Sequence, residues 1–456
     1  MNIDQLKEKI GKDKVLIEKE DRLAFSYDAS REQYYPDCVV MAESVQDVVE
    51  TMKFADANNI KVYPRGAGTG QTGGSVPTEG GIALVLTKMD KILEIDRDNL
   101  TATVEPGVVL EKLNDEVAKF GLLYPPDPAS AKAATMGGTI AECSGGLRGV
   151  KYGVTRDYVL KLEVVTIDGQ VLNFGAATMK SVTAYDIVRL IIGSEGTMCV
   201  VTKITVKLVP APSYLKTLLA VFNDETTALN CASDIIKYPL LPAVLEFMDE
   251  KTIDCSSRYS KSDLLLGAKS VLLIELDGTE NSVSTEYAIL EGILKKNNCV
   301  NIMIAADEDQ REELWEVRKS LSPALFLVAP SKKNEDICVP RSRLAETLTR
   351  AKAIEKKYNL NMIAFAHAGD GNIHINFMCD DRDKDEMERV EKAVEEIFEL
   401  AIEVGGTLSG EHGIGITKSK YIPLEIGAKE MELMKKIKAV WDPKNLLNPH
   451  KIFPIN

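Results

Sequence analysis

An α+β protein built in two parts is what this 456-residue sequence predicts, on three observations. Its length exceeds what one hydrophobic core organises, at roughly 150 residues per domain. Up to about residue 210 short strands alternate with glycine-rich turns, and beyond it long amphipathic helices alternate with strands. Between these patterns Val209-Pro210-Ala211-Pro212-Ser213 interrupts both and reads as a linker.

The first elements are a mixed-charge amphipathic helix at residues 1–10, then a helix opened by Ser44 and running to about Asn58. The second carries Val45, Val48, Val49, Met52 and Phe54 at helical spacing. A short strand, Ile60 to Pro64, follows, and then β-rich runs at Ile82–Leu86 and Thr101–Val104. In the second part Ser270 to Leu276 reads as a strand, and Met362 to His374 as strand, glycine-rich turn and strand. Alternation in Ile373-His374-Ile375-Asn376-Phe377 puts His374 and Asn376 on one face and the apolar residues on the other. A last helix spans about Ala428 to Val440 and stops before Asp442-Pro443.

Composition narrows the function. A net charge of −14 disfavours a nucleic-acid partner, because phosphates would be repelled. The longest apolar run, Ala324 to Ala329, is too short to cross a bilayer, and the first helix lacks the apolar stretch of a signal peptide. Eight scattered cysteines without a CxxC pair read as reduced thiols, so the expected setting is the cytoplasm, with no integral membrane segment.

Two groups of motifs carry chemistry. The run Pro64-Arg65-Gly66-Ala67-Gly68-Thr69-Gly70-Gln71-Thr72-Gly73-Gly74 follows a strand and places five glycines in nine positions. Its amides can approach a pyrophosphate, yet no amphipathic helix follows, which argues against a Rossmann fingerprint. Alone, such a run serves equally well as a surface turn. Further clusters at 125–130, 135–146 and 192–198 point to one extended ligand touched at several places. The second group holds three of the four histidines, in His367-Ala-Gly-Asp-Gly-Asn-Ile-His374 and in Ser409-Gly-Glu411-His412-Gly-Ile-Gly415. Two histidines and a carboxylate with an open position suit a catalytic divalent ion, and a neighbouring histidine can move a proton.

Together, PRGAGTGQTGG, PPDPAS, MGG, SGG with RGVKYG, GSEGT, HAGDGNIH and SGEHGIG resemble the vanillyl-alcohol oxidase / p-cresol methylhydroxylase superfamily, in its branch of FAD-linked D-2-hydroxyacid dehydrogenases. The resemblance spans roughly residues 35 to 455. It implies a two-part FAD-binding domain of the p-cresol methylhydroxylase type, residues 1–212, with an α+β cap or substrate domain on an antiparallel sheet, 213–415. A C-terminal segment, 416–456, would return to the FAD domain; it contains the family's closing signature, Trp441 to Pro449.

The resemblance further implies non-covalent FAD. The cofactor would be lined by Pro64, Arg65, Gly66, Ala67, Gly68, Thr69, Gly70, Gln71, Thr72 and Gly73. Pro126, Asp127, Ser130, Gly137, Gly138, Thr139, Ser144 and Gly145 would follow, with Glu195, Gly196 and Val200 near the adenine. No histidine precedes His367, which excludes a histidyl tether from the N-terminal half. Cys143-Ser144 stands where the family leads one to expect Asn-Ala, and Cys143 is open to two readings, packing residue or reactive thiol.

His367, His374 and Glu411 would bind zinc, iron or manganese, and His412 would be the base. Arg318, in the family's W-x-x-R segment, and Lys333, fifteen residues on, would hold the substrate carboxylate, with Asn376 a further contact. His450 has no partner in sequence and reads as a surface residue. The implied reaction is oxidation of a D-2-hydroxy acid, D-lactate first, to the 2-oxo acid. Electrons would pass to a partner such as electron-transferring flavoprotein, with possible NAD-linked bifurcation. The alternative is glycolate or D-2-hydroxyglutarate oxidation feeding quinone or iron–sulfur subunits.

Overall fold

The computed structural model describes residues 2–454 apart from 263 and 266, and the chain divides into two compact units. One comprises Met1–Gly145, Val154–Ala211 and Glu411–Asn456; the other comprises Gly146–Gly153 and Pro212–Gly410. The chain therefore re-joins the first unit at Glu411 rather than at 416, and residues 146–153 belong to the second unit.

In the first unit, β1 (Val15–Leu16), β2 (Cys38–Met41), β3 (Val62–Arg65) and β4 (Ile82–Val85) form a sheet in the order β1-β2-β4-β3. Strands β2 and β3 run parallel to β4, so the chain must cross over between β2 and β3, and the helix Val45–Asn58 makes that crossing. Ser44 caps it by accepting the Asp47 amide at 3.3 Å, and Asn59, left-handed at φ 54°, ends it. Val48, Val49, Met52 and Phe54 are buried in the core, each contributing about 1.5–3 kcal/mol.

A second, antiparallel sheet takes β5 (Ile92–Asp96), β6 (Thr101–Val104), β8 (Val159–Val165), β9 (Val171–Gly175) and β10 (Val200–Lys207) in the order β5-β6-β10-β8-β9. Part of the expected linker is ordered: β11 (Val209–Pro210) pairs with β7 (Leu122–Leu123). A two-residue edge strand tolerates Pro210, which has no amide hydrogen to offer a ladder. The C-terminal residues complete this unit. Leu446 and Leu447 enter its core, the Val62 amide donates to the Leu446 carbonyl at 2.9 Å, and the Asn448 amide donates to Val62 at 2.8 Å.

The second unit is one antiparallel sheet of seven strands: β12 (Tyr214–Phe222), β13 (Val244–Asp249), β14 (Ser270–Gly278), β15 (Asn301–Ile304), β16 (Ser331–Cys338), β17 (Asn361–His367) and β18 (Asn372–Cys379). Their order is β15-β12-β14-β13-β17-β18-β16. Residues directly opposite in an antiparallel ladder share a face. Leu219, Leu273, Met248, Phe365 and Met378 therefore form one face, on which the helices Glu250–Ser260, Glu308–Lys319 and Leu321–Ala324 pack. On the other face Leu229, Leu344 and Leu348 meet Phe247, Ala364 and Ile373.

Candidate active site

The histidine motif of the second unit is a hairpin. The carbonyl of His367 accepts the amides of Asp370 and Gly371, which closes the turn and pairs His367 with Asn372. Both imidazoles then lie on the face covered by Glu308–Lys319, each only 5% exposed, with their Nε2 atoms 3.2 Å apart and their rings perpendicular. Glu246 on β13 stands opposite His367 in the ladder, and the His367 Nδ1–H donates to its Oε1 at 2.6 Å. With that hydrogen on Nδ1, Nε2 carries the lone pair that a metal would use, and the carboxylate fixes the ring's orientation.

Glu246 is fully buried. Burial works against its charge, but His367 and Arg318 beside it hold its carboxyl below the usual range. Arg318 donates from Nε to Glu246 Oε2 at 2.7 Å and stacks over Phe365 with its central carbon 4.9 Å from the ring. Sequence reasoning missed Glu246, which has no motif around it. Its signal is a charged residue inside the apolar run Val244-Leu245-Glu246-Phe247-Met248.

Register decides the other residues expected to touch substrate. Asn376 shares the histidine face, fully buried, where it accepts from Asn334 Nδ2 at 2.8 Å and donates to the Ile363 carbonyl at 3.3 Å. Lys333 does not share it. It stands opposite Phe377 on the apolar side, with Nζ 3.9 Å from Glu335, and so is corrected from a substrate ligand to a residue of the far face. Asp336, opposite His374, receives the Ser409 hydroxyl at 3.1 Å and the Gly410 amide at 3.0 Å. That anchors the last residue of this unit, and Glu411 follows it by one peptide bond.

In the first unit the glycine-rich loop leaves β3 at Arg65. This side chain is 6% exposed, and its Nε and Nη1 have no hydrogen-bond partner; burial pushes the guanidinium's pKa down. A buried cation with two unanswered donors fits an anionic group such as a pyrophosphate. Gly68, at φ 73°, lets the loop close over it, because a Cβ there would strike the guanidinium. Thr135 caps the helix Met136–Glu142 by accepting the Gly138 amide at 3.3 Å, and the same helix holds Gly137 and Thr139. Pro126, Asp127 and Ser130 precede it, and Ser130 supplies the carbonyl for the amides of Ala133 and Ala134. Cys143 ends the helix in the left-handed region, and the Arg156 Nε donates to its sulfur at 3.2 Å.

Two residues expected at the adenine end present something else. The Val200 side chain is in the hydrophobic core, so only its backbone could line a ligand. The Glu195 carboxylate is taken by the loop 413–415 of the same unit. His412 is also in this unit: Gln71 Nε2 lies 3.3 Å from its Nε2, and the Thr72 hydroxyl donates to its carbonyl at 3.2 Å. Glu411 lies against Gly145, where a Cβ would come within 3.0 Å of its Oε2. His450 is not a bare surface residue, since its Nε2 pairs with Glu79.

Comparison with known proteins bears on the whole chain. Residues 36–175 match the FAD binding domain family, and residues 211–452 match the family of FAD linked oxidases, C-terminal domain. The chain is 45% identical to the glycolate oxidase subunit GlcD of Bacillus subtilis, over 95% of this chain and 92% of that protein. It is 34% identical to a D-lactate dehydrogenase of Anaerostipes hadrus, over 99% and 96%. In fold it is similar to p-cresol methylhydroxylase with substrate bound, at a TM-score of 0.83 and 19% identity, covering 99% of this chain and 96% of that one. With the FAD binding domain and the C-terminal domain of the FAD linked oxidases both matched, the chain belongs to the FAD-linked oxidases and is an FAD-linked oxidoreductase.

Proposed function

We propose that this enzyme oxidises a D-2-hydroxy acid, D-lactate before glycolate or D-2-hydroxyglutarate, to the 2-oxo acid on non-covalently held FAD. The observation that carries the reading is the imidazole pair, two Nε2 atoms 3.2 Å apart with one ring locked by a buried carboxylate. Such a donor set fits a divalent ion, and Glu411 would complete it as His₂Glu, which suits zinc, iron or manganese. A divalent ion held there would supply Lewis acidity toward the substrate hydroxyl, and FAD would supply the two-electron acceptor. His412 takes the hydroxyl proton at Nε2, the atom that faces the Gln71 amide. Arg318, charged and held by Glu246, grips the substrate carboxylate through its remaining donors. The names of the Anaerostipes and Bacillus relatives support a short hydroxy acid.

The electrons leave to a protein partner, electron-transferring flavoprotein first, with NAD-linked bifurcation as its possible coupling. A cytoplasmic setting belongs to the same proposal. It is supported by eight cysteines that form no disulfide and by the absence, among the described residues, of any helix long and apolar enough to cross a membrane. The glycolate reading, with quinone or iron–sulfur acceptors, draws on the 45% identity to a glycolate oxidase subunit.

Anaerobic spectra of the purified holoprotein test this. D-lactate should bleach the flavin and L-lactate should not. Bleaching by glycolate or D-2-hydroxyglutarate alone moves the assignment to that acid, and bleaching by none of the four acids overturns the reaction class.

A further inference from the structure

We propose that Glu195 is a positioning residue for His412, holding the loop that carries it through two backbone amides. Its carboxylate is 4% exposed and divides its oxygens, Oε1 receiving the Ile414 amide and Oε2 the Gly415 amide, both at 2.7 Å. Both are short bonds to a buried side chain, and the pair fixes the chain two and three residues beyond His412. Glu195 is itself over-determined. It sits at φ 51°, uncommon for a non-glycine residue, its amide donates to Ala141 at 2.8 Å, and its carbonyl accepts Asn448 Nδ2 at 2.6 Å.

The other flank of the loop is tied to the glycine-rich run. Thr72 binds the His412 carbonyl through its hydroxyl, and its own carbonyl accepts the amides of Ile416 and Thr417 at 2.9 and 3.2 Å. Gly413 completes the fit: at φ 79° it lies where a Cβ would collide with Glu142 Oε2 and press to 3.1 Å on Glu195 Oε1. His412 is thus suspended between two attachments. A glutamine at 195 would offer one acceptor oxygen and turn a second N–H group toward an N–H group, so half of the clamp would be lost.

This role rests on the reading of His412 as the proton acceptor, and the experiment separates the two. Glu195→Gln and His412→Ala holoenzymes are compared with wild type by anaerobic stopped-flow reduction and by hydrogen exchange at residues 412–416. In Glu195→Gln we expect the limiting rate of flavin reduction to fall roughly 10- to 100-fold. Substrate dissociation and FAD occupancy should stay within about threefold, and the amides of Ile414 and Gly415 should lose protection. Gly413→Ala, which disturbs the clamp without altering Glu195, should show the same split and serves if Glu195→Gln does not fold. An unchanged limiting rate in Glu195→Gln beside a dead His412→Ala overturns the positioning role alone. An active His412→Ala overturns the reading of the base, and the exchange data then judge the clamp by themselves. Loss of FAD with an unchanged rate per bound flavin also overturns it, making Glu195 a cofactor residue.

Discussion

The two units build their sites from different parts of the polypeptide. In the glycine-rich unit the candidate site lies in loops: successive glycines let the backbone come close, and its side chains Arg65 and Thr72 sit beside them in sequence. In the seven-stranded unit it lies on one face of a sheet. Glu246, Arg318, His367 and His374 are up to 128 positions apart in sequence and meet only because the β13–β17–β18 ladder and one helix align them. The lesson is that a loop site writes itself into a contiguous motif, whereas a sheet-face site is spelled by register. Variants that separate cofactor loss from metal loss can break that contrast or sharpen it.

The largest separation is expected at Glu246. Glu246→Gln should weaken zinc or manganese binding roughly 10- to 100-fold, because the His367 ring loses the carboxylate that orients it. FAD should remain bound, as metal titration followed by the flavin spectrum would show. Arg65→Met should do the reverse: FAD binding weakens by about tenfold or more while metal content holds. Its apoprotein should be no less stable than wild type, since a buried charge with unanswered donors is removed; calorimetry of the two apoproteins checks this.

A smaller effect concerns pH. Burial brings the Lys451 pKa down from 10.5 to about 8, with Glu195 pulling the other way. Between those values the folded lysine is neutral while the unfolded one is still charged, so the unfolded state binds more protons and stability rises with pH. Relative to Lys451→Met, the wild type should gain on the order of 2–3 kcal/mol of unfolding free energy from pH 8 to 10.5 in denaturant titrations. A flat difference would show that the lysine stays protonated in the fold. The smallest effect is at Lys333, where alanine should leave KM within about twofold, because this side chain is on the far face of the sheet.

These expectations follow how legible each part was. The helix capped by Ser44 could be read because cap, apolar spacing and the terminal asparagine agree with the tertiary packing. The GDGN hairpin could be read because a two-residue period and a turn of small residues leave one arrangement open. Lys333 was misplaced by one residue of pleat, the amount that sends a side chain to the opposite face, and a spacing from Arg318 carries no phase information across a helix end and a turn. Glu246 escaped notice because its partners lie 72 and 121 residues away. Glu195 was placed near the adenine by resemblance, and its carboxylate's ties to amides more than 200 residues later have no signal in the local sequence.

The most direct test of the central claim is to strip the purified protein of divalent metal with a chelator under anaerobic conditions. The flavin spectrum is then followed on adding the D-hydroxy acid, before and after returning zinc, manganese or iron. Flavin that stays bound but reduces at least about a hundredfold more slowly, and recovers with metal, is the predicted result. Unchanged bleaching of a metal-free protein would contradict it, leaving an FAD-linked oxidoreductase whose histidine pair serves some purpose other than the reaction.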